Sequence, residues 1–411
     1  MRISTTMQFT NSLKYIQNSN SKVDETSIRY NTGYKFQKAG EDPSGMASKI
    51  KYEGAIAAYT QYNEDGAIAN NALSEEETAI ASMWDTLSSI NTRLQQCING
   101  SNDASSLKAL SSEIQQLRDH LFDLMNTQNT DGEYIFSGAQ SDVPTYEIDS
   151  LGHYVCKADG ATRGVVVAPN VTVQVSDSGL DIFENCKTAY SFTATPGATA
   201  SGLLSSEVSN YGNFSDLFEK YYENGANNKV YLRLDNSQVP TTYELADSDT
   251  GGNVLARGEI DLTTSVPKIE VNGMKFAFDT ETPSGTIAIE LDPPKTDNML
   301  NILTQIVKDI NSDTLTTTEK VAKITKCEED VNIALLHYDS YRGLIGARQN
   351  AIENVMNSNE SISDIKKSSK AEISEIDAFE AASDLVRAQN QLSVSRQIYS
   401  MVNKQSLFDY I

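Results

Sequence analysis

The chain has 411 residues, enough for two or three domains of ~100–200 residues each. Its 33 Lys and Arg against 56 Asp and Glu give a net charge of −23, which argues against nucleic acid as a partner of the whole chain. No run of ~18 apolar residues is present, which excludes a membrane-spanning helix, and four cysteines are too few for a disulfide scaffold.

The opening residues, Met1 to Met7, lack the apolar block of a secretory leader, so none is expected. Residues 1–40 hold six basic and two acidic side chains, whereas residues 139–295 hold ten basic and 22 acidic. The first segment differs in kind from the middle.

Taken in chain order, the first helix is predicted from Phe9, Leu13, Ile16, Asn20, Val23, Ser27 and Tyr30, which step by four and three. Asp42-Pro43-Ser44 then reads as a helix start, with a capping carboxylate before a proline at the first helical position. Leu73, Ile80, Leu87 and Leu94 recur every seven residues, and Met83, Ile90 and Cys97 lie three after Ile80, Leu87 and Leu94. Leu107, Leu110, Ile114, Leu117, Leu121 and Leu124 alternate three and four, a 3.5-residue rhythm that keeps one stripe facing a partner helix. The run Asn99 to Asp103 between the two seams is a turn and capping signal. An antiparallel helical hairpin over roughly 44–98 and 104–130 follows.

Residues 139–295 read as β. Val165–Val167 and Val171–Val175 flank Pro169-Asn170, and Tyr231–Leu234, Lys275–Phe278 and Ile287–Leu291 are further strands. Asp249 to Asn253 is a predicted hairpin turn, and residues 193–206, rich in Ala, Ser, Thr and Gly, read as a connector between two β pieces. Past Pro293-Pro294 the helical rhythm returns in Leu300, Leu303, Val307 and Ile310. Thr316 to Glu319 then makes a capping box. It opens a helix with Ile324, Cys327, Val331, Ala334, Tyr338, Tyr341 and Ile345, and a last one carries Leu385, Ala388, Leu392, Ser395, Tyr399 and Val402.

The expected fold is therefore α+β: a long antiparallel helical bundle or coiled-coil rod from both chain ends, with an inserted β-rich domain. The expected parts are an N-terminal assembly helix (1–42), the rod (43–138 and 297–360), β-rich outer domains (139–296, divided near 193–206) and a C-terminal assembly helix (361–411). Isolated helices are marginal in water, and two paired ends still leave much of each stripe wet. Either the ends fold onto the hairpin as one bundle, or neighbouring subunits supply the missing surface. Polar Asn20 and Ser27, with small Ala388 and Ser395, fit the second arrangement. The expected assembly residues are Ile3, Met7, Phe9, Leu13, Ile16, Val23 and Tyr30 at one end. At the other they are Leu385, Leu392, Tyr399, Val402, Leu407 and Phe408.

Five motifs carry a resemblance. Arg2 to Phe9 (RISTTMQF), Ala39 to Ala47 (AGEDPSGMA), Gly132 to Gly138 (GEYIFSG), Ile345 to Glu353 (IGARQNAIE) and Ser406 to Ile411 (SLFDYI) lie in order at both ends. Together they resemble the flagellar hook-associated protein 3 family, hook–filament junction proteins related to flagellin. The segment 193–263 is longer than that family's compact middle. The resemblance implies a structural subunit of the bacterial flagellum, joining hook to filament through its terminal helices. It also implies export without a cleavable leader, an extracellular site, and a ring of identical subunits. The implied partners are the preceding hook-associated junction protein, flagellin and a cytoplasmic export chaperone, with neither nucleic acid nor membrane insertion. A flagellin-like filament subunit, or a flagellar adhesin acting through the β domain, are the alternatives.

Nothing in the residues suggests catalysis. No Gly-x-Ser-x-Gly, phosphate loop, His-Glu-x-x-His or cysteine cluster is present, so neither an enzyme nor a cofactor is expected. His120, His153 and His337 share no pattern. Asp247-Ser248-Asp249 begins like a calcium loop, but its twelfth position is Gly258, so a turn is the better reading. Cys97 and Cys327, on apolar seams, read as buried thiols rather than a bridge. The 19 tyrosines suit either an interface or the core.

Overall fold

The computed structural model describes residues 5–99, 103–198, 200, 202–223, 228–237, 240–264 and 266–408, without the side chains of 5, 6 and 402–408. Long helices come from both ends of the sequence, and a β-rich region of antiparallel sheets lies between them in the chain. Two compact units divide it: residues 1–68, 166–172 and 351–411 form one, and residues 69–165 with 173–350 form the other.

In the first unit, α1 (Thr5–Thr32) runs along α7 (Ala378–Phe408). The turn after α1 is stitched to the turn before α7. The Lys35 amide donates to the Ser374 carbonyl at 2.8 Å, and the Ile376 amide donates to the Gly33 carbonyl at 2.8 Å. The predicted cap at Asp42 is present: its Oδ1 accepts from the Gly45 amide at 2.9 Å and from the Ser44 hydroxyl at 3.0 Å. Those bonds hold the Asp42 carboxyl below its ordinary range and start α2 (Pro43–Ile98).

The second unit carries the seams. Leu73, Ile80, Met83, Leu87, Ile90 and Leu94 of α2 have no solvent exposure, nor do Ile114, Leu121 and Met125 of α3 (Ala104–Met125). Leu300 and Leu303 of α5 (Met299–Ile310) and Val331, Ala334 and Ile345 of α6 (Thr317–Ser374) are equally buried. Burying each such side chain stabilises by ~1.5–3 kcal/mol, which is why a 3.5-residue repeat suffices to specify these helices. The capping box is formed both ways: Thr316 Oγ1 accepts from the Glu319 amide at 3.3 Å, and Glu319 Oε2 accepts from the Thr316 amide at 2.8 Å. Cys97 and Cys327 are free and buried, and burial pushes the Cys97 thiol up to about 11.

The Gly132–Gly138 motif has a structural explanation. Phe136 enters an aromatic cluster, its ring 5.2 Å from Phe183, which in turn lies 5.9 Å from Tyr338. The buried Ser137 hydroxyl donates to the Val143 carbonyl at 2.7 Å. Gly138 sits at φ +75°, and a side chain there would collide with Asp159. Two small hairpins follow, β1 (Tyr146–Ile148) with β2 (Tyr154–Cys156), and β3 (Gly164–Ala168) with β4 (Val171–Gln174).

The remaining strands are β5 (Phe192–Pro196), β6 (Leu203–Val208), β7 (Lys229–Asp235), β8 (Thr242–Ala246), β9 (Val254–Glu259), β10 (Lys268–Val271), β11 (Met274–Phe278) and β12 (Gly285–Leu291). One antiparallel sheet has the order β5-β12-β7-β8-β9, and another has β10-β11-β6. Both sheets and α4 (Tyr211–Tyr221) bury their apolar faces in one core that includes Phe214, Leu232, Phe276 and Ile289. Residues 193–206 do link the two sheets, but they are more than a connector. They hold most of β5 and the start of β6, which pair with β12 and β11. Their small side chains hid an alternation that pairing reveals, since Phe192, Ala194 and Leu203 all pack on the shared core. Truncating Phe276, which is fully buried, to alanine is expected to cost this core about 3–5 kcal/mol in a urea titration of the chain.

The β core begins and ends at one place. Lys187 bridges Thr296, and the Thr188 amide donates to the Lys295 carbonyl at 2.9 Å. Just inside, the Ala189 amide donates to Asp330 Oδ1 of α6 at 2.7 Å. Asp330 is buried, and desolvation pushes its carboxyl up to about 6. The folded chain therefore keeps a proton that the unfolded chain releases near 3.8, so this group's contribution to stability falls as pH rises from about 4 to about 6. Asp330→Asn retains the acceptor and removes the charge. It is expected to raise stability at pH 7 by about 1–3 kcal/mol and to lessen the fall of denaturation midpoints over that interval.

Candidate assembly interface

The paired terminal helices are the surface that the sequence singles out. Phe9 of α1 meets Tyr399 of α7, with ring centroids 5.5 Å apart. Further along, the Ser19 and Ser395 hydroxyls share a 3.3 Å hydrogen bond, and Arg396 Nη2 donates to Asn20 Oδ1 at 3.3 Å. These polar pairs set the register of the two helices, while Ala381 and Ala388 are buried. Ion pairs such as Arg29–Glu25 at 2.7 Å lie within single helices and, being partly open to solvent, contribute ~0–1 kcal/mol each.

Pairing leaves much of the apolar surface of both helices uncovered. Ile16, Val23, Leu385, Leu392 and Tyr399 are half-buried, while Met7, Phe9, Leu13 and Tyr30 remain exposed. Ile3 lies outside the described residues, as do the side chains of Val402, Leu407 and Phe408.

A second set on α7 escaped the sequence reading. Phe379 is 85% exposed, and Val386, Val394, Ile398 and Met401 are 51–58% exposed. At 3.6 residues per turn they fall on the side of α7 opposite Leu385, Ala388, Leu392, Ser395 and Tyr399. Their spacings of seven, eight, four and three were a legible signal. One apolar face of α7 thus meets α1, and the other faces outward.

Among the described residues no group of three or more His, Cys, Asp and Glu could hold a metal. His153 pairs with Asp149 at 3.6 Å, and His337 packs edge-on against Tyr341. The Asp247 carboxylate accepts from the Asn253 amide at 2.8 Å and from Asn253 Nδ2 at 3.0 Å, closing the hairpin turn between β8 and β9. Among the described residues no helix is long and apolar enough to cross a membrane.

Residues 3–141 match the family model of the bacterial flagellin N-terminal helical region. More particularly, flagellar hook-associated protein 3 of Escherichia coli K12 is 24% identical over 185 residues, covering 45% of this chain and 57% of that protein. Its Salmonella typhimurium counterpart matches to the same extent. The chain therefore spans little more than half the length of these relatives. Flagellin of Salmonella montevideo is 23% identical over 416 residues, covering 95% of this chain and 73% of its own. Among solved structures, FlgL of Xanthomonas campestris superposes with a TM-score of 0.56 at 24% identity, covering 78% of this chain and 99% of that one. Hook-associated protein 3 of Legionella pneumophila gives 0.57 at 21%, with 79% and 98% covered. The resemblance carried by the five motifs is thus shown by sequence and by fold: this chain is similar to flagellar hook-associated protein 3.

Proposed function

We propose that this chain is a structural subunit of the bacterial flagellum, the adaptor between hook and filament, assembling with identical copies through α1 and α7. The observation that carries the reading is α7 itself, apolar on two opposite faces with only one covered by α1. A soluble chain presents such a stripe when a partner is meant to bury it. In this reading neighbouring copies form a ring, with the preceding hook-associated protein on one side and flagellin on the other. An export chaperone holds α7 beforehand, and the subunit works outside the cell with no catalytic residue. The identity of the relatives supports it.

The flagellin match across 95% of the chain supports a second reading, a filament subunit. Deleting the gene separates the two. Hooks without filaments, with flagellin spilled into the medium, are expected for the adaptor. Intact hooks bearing shortened or altered filaments would favour the filament subunit.

A further inference from the structure

The α2 seam has one charged member. Met83, Ile90 and Cys97 each follow a seam residue by three positions, and the residue three after Leu73 is Glu76. Its side chain is as deeply buried as theirs, at 2% exposure. A carboxyl placed there needs partners, and it faces the 175–179 segment that follows β4. Glu76 Oε1 accepts from the Asp177 amide at 3.0 Å, while Oε2 has no hydrogen-bond partner.

Asp177 is itself buried, at 4% exposure. Arg348 of α6, from the Gly-Ala-Arg stretch, grips it with both terminal nitrogens, at 2.6 Å to Oδ2 and 3.0 Å to Oδ1. Gln174 Nε2 adds a bond to Oδ1 at 2.7 Å. The charged groups acting on Glu76 are Asp177 and Arg163 from the chain beside it and Arg348 from α6, while Tyr341 of α6 faces Asp177, Asp181 and Arg348. Arg163 is engaged by Glu133 at 3.1 Å. Glu77, next along α2, pairs instead with Arg342 at 3.1 Å. One guanidinium thus serves two buried carboxyls, and the cluster is neutral only when one of them is protonated. Desolvation first, and the Asp177 charge second, push Glu76 up to about 8.

We propose that Glu76, Asp177 and Arg348 form a proton-dependent latch, in which the 175–179 strap is fastened to α2 by a carboxyl that must hold its proton and is released when that proton leaves. The strap leads directly into the π-helical turn Leu180–Glu184, which carries Phe183 of the aromatic cluster. Opening the latch therefore loosens the chain beside that cluster. The proton belongs to the closed form: a carboxyl in the open form ionises near its ordinary 4.5, and in the closed form near 8. Closure accordingly weakens about tenfold per pH unit between about pH 5 and pH 8, and levels off above.

The test is amide hydrogen exchange of residues 176–182 in the full chain from about pH 5.5 to 9, for the natural protein and for Glu76→Gln, which keeps the acceptor without the charge. Protection, corrected for intrinsic exchange, is expected to fall about tenfold per unit up to pH 8 in the natural protein and to stay flat in the variant. Equal slopes in the two would overturn the latch. Infrared spectroscopy of the natural protein decides independently, even should the variant fail to fold. A protonated-carboxyl band at pH 7 that vanishes as pH passes 8 supports the proposal, and its absence at pH 7, where Asp330 is already ionised, overturns it.

Discussion

A pair of charges on the outer face of α7, Val394→Asp with Ile398→Asp, is expected to stop assembly while leaving the monomer's helix content unchanged. Both side chains are 51% exposed, so in the monomer the new carboxylates stay in water and disturb no packing. In an assembly that buries this face each would lose its hydration without a partner, at a cost of several kcal/mol per charge. The same substitution on the inner face, Leu392→Asp, acts differently, because Leu392 packs toward α1 and the helix pair itself would loosen. Circular dichroism of the purified variants and filament counts in a complemented deletion strain read the two effects separately. Normal filaments from the outer-face variant would show that this face is not used.

The second large effect is expected at Arg348. Arg348→Ala leaves the buried Asp177 side chain with Gln174 as its one remaining side-chain donor among the described residues, and should lower the unfolding free energy by about 3–5 kcal/mol. Arg348→Lys restores the charge but cannot make two parallel bonds to one carboxylate, so only part of the loss should return. Urea denaturation at pH 7 measures both. A loss below about 1 kcal/mol for the alanine variant would place this pair among ordinary surface ion pairs.

The helical half of the fold was legible because its signals are local and redundant. Asp42 before Pro43, and Thr316 paired with Glu319, mark starts that hydrogen bonds then confirm, and a seven-residue repeat admits one buried side. The β half was harder, because strand identity at residues 193–206 depends on partners about 70–100 positions away. The tight turn at Asn272-Gly273, with φ of 47° and 78°, was available as a two-residue hairpin signal between β10 and β11, and was not used. Of the interface, the face of α7 that meets α1 could be read, whereas the opposite face was masked: a helix apolar on two sides shows no single dominant stripe. The buried charges were hidden for another reason. Glu76 keeps the seam's spacing, but its partners Asp177 and Arg348 are brought to it only by the folded chain.

The junction at Lys187–Ala189 and Asp292–Thr296 has a bearing on how such chains diversify. Because the chain enters and leaves the β core between hydrogen-bonded neighbours, whatever lies beyond is topologically a cassette. It can be lengthened, trimmed or exchanged with little loop-closure penalty, since its ends already meet. A change of length inside a closed neck of this kind leaves the path of the helices on either side of it undisturbed.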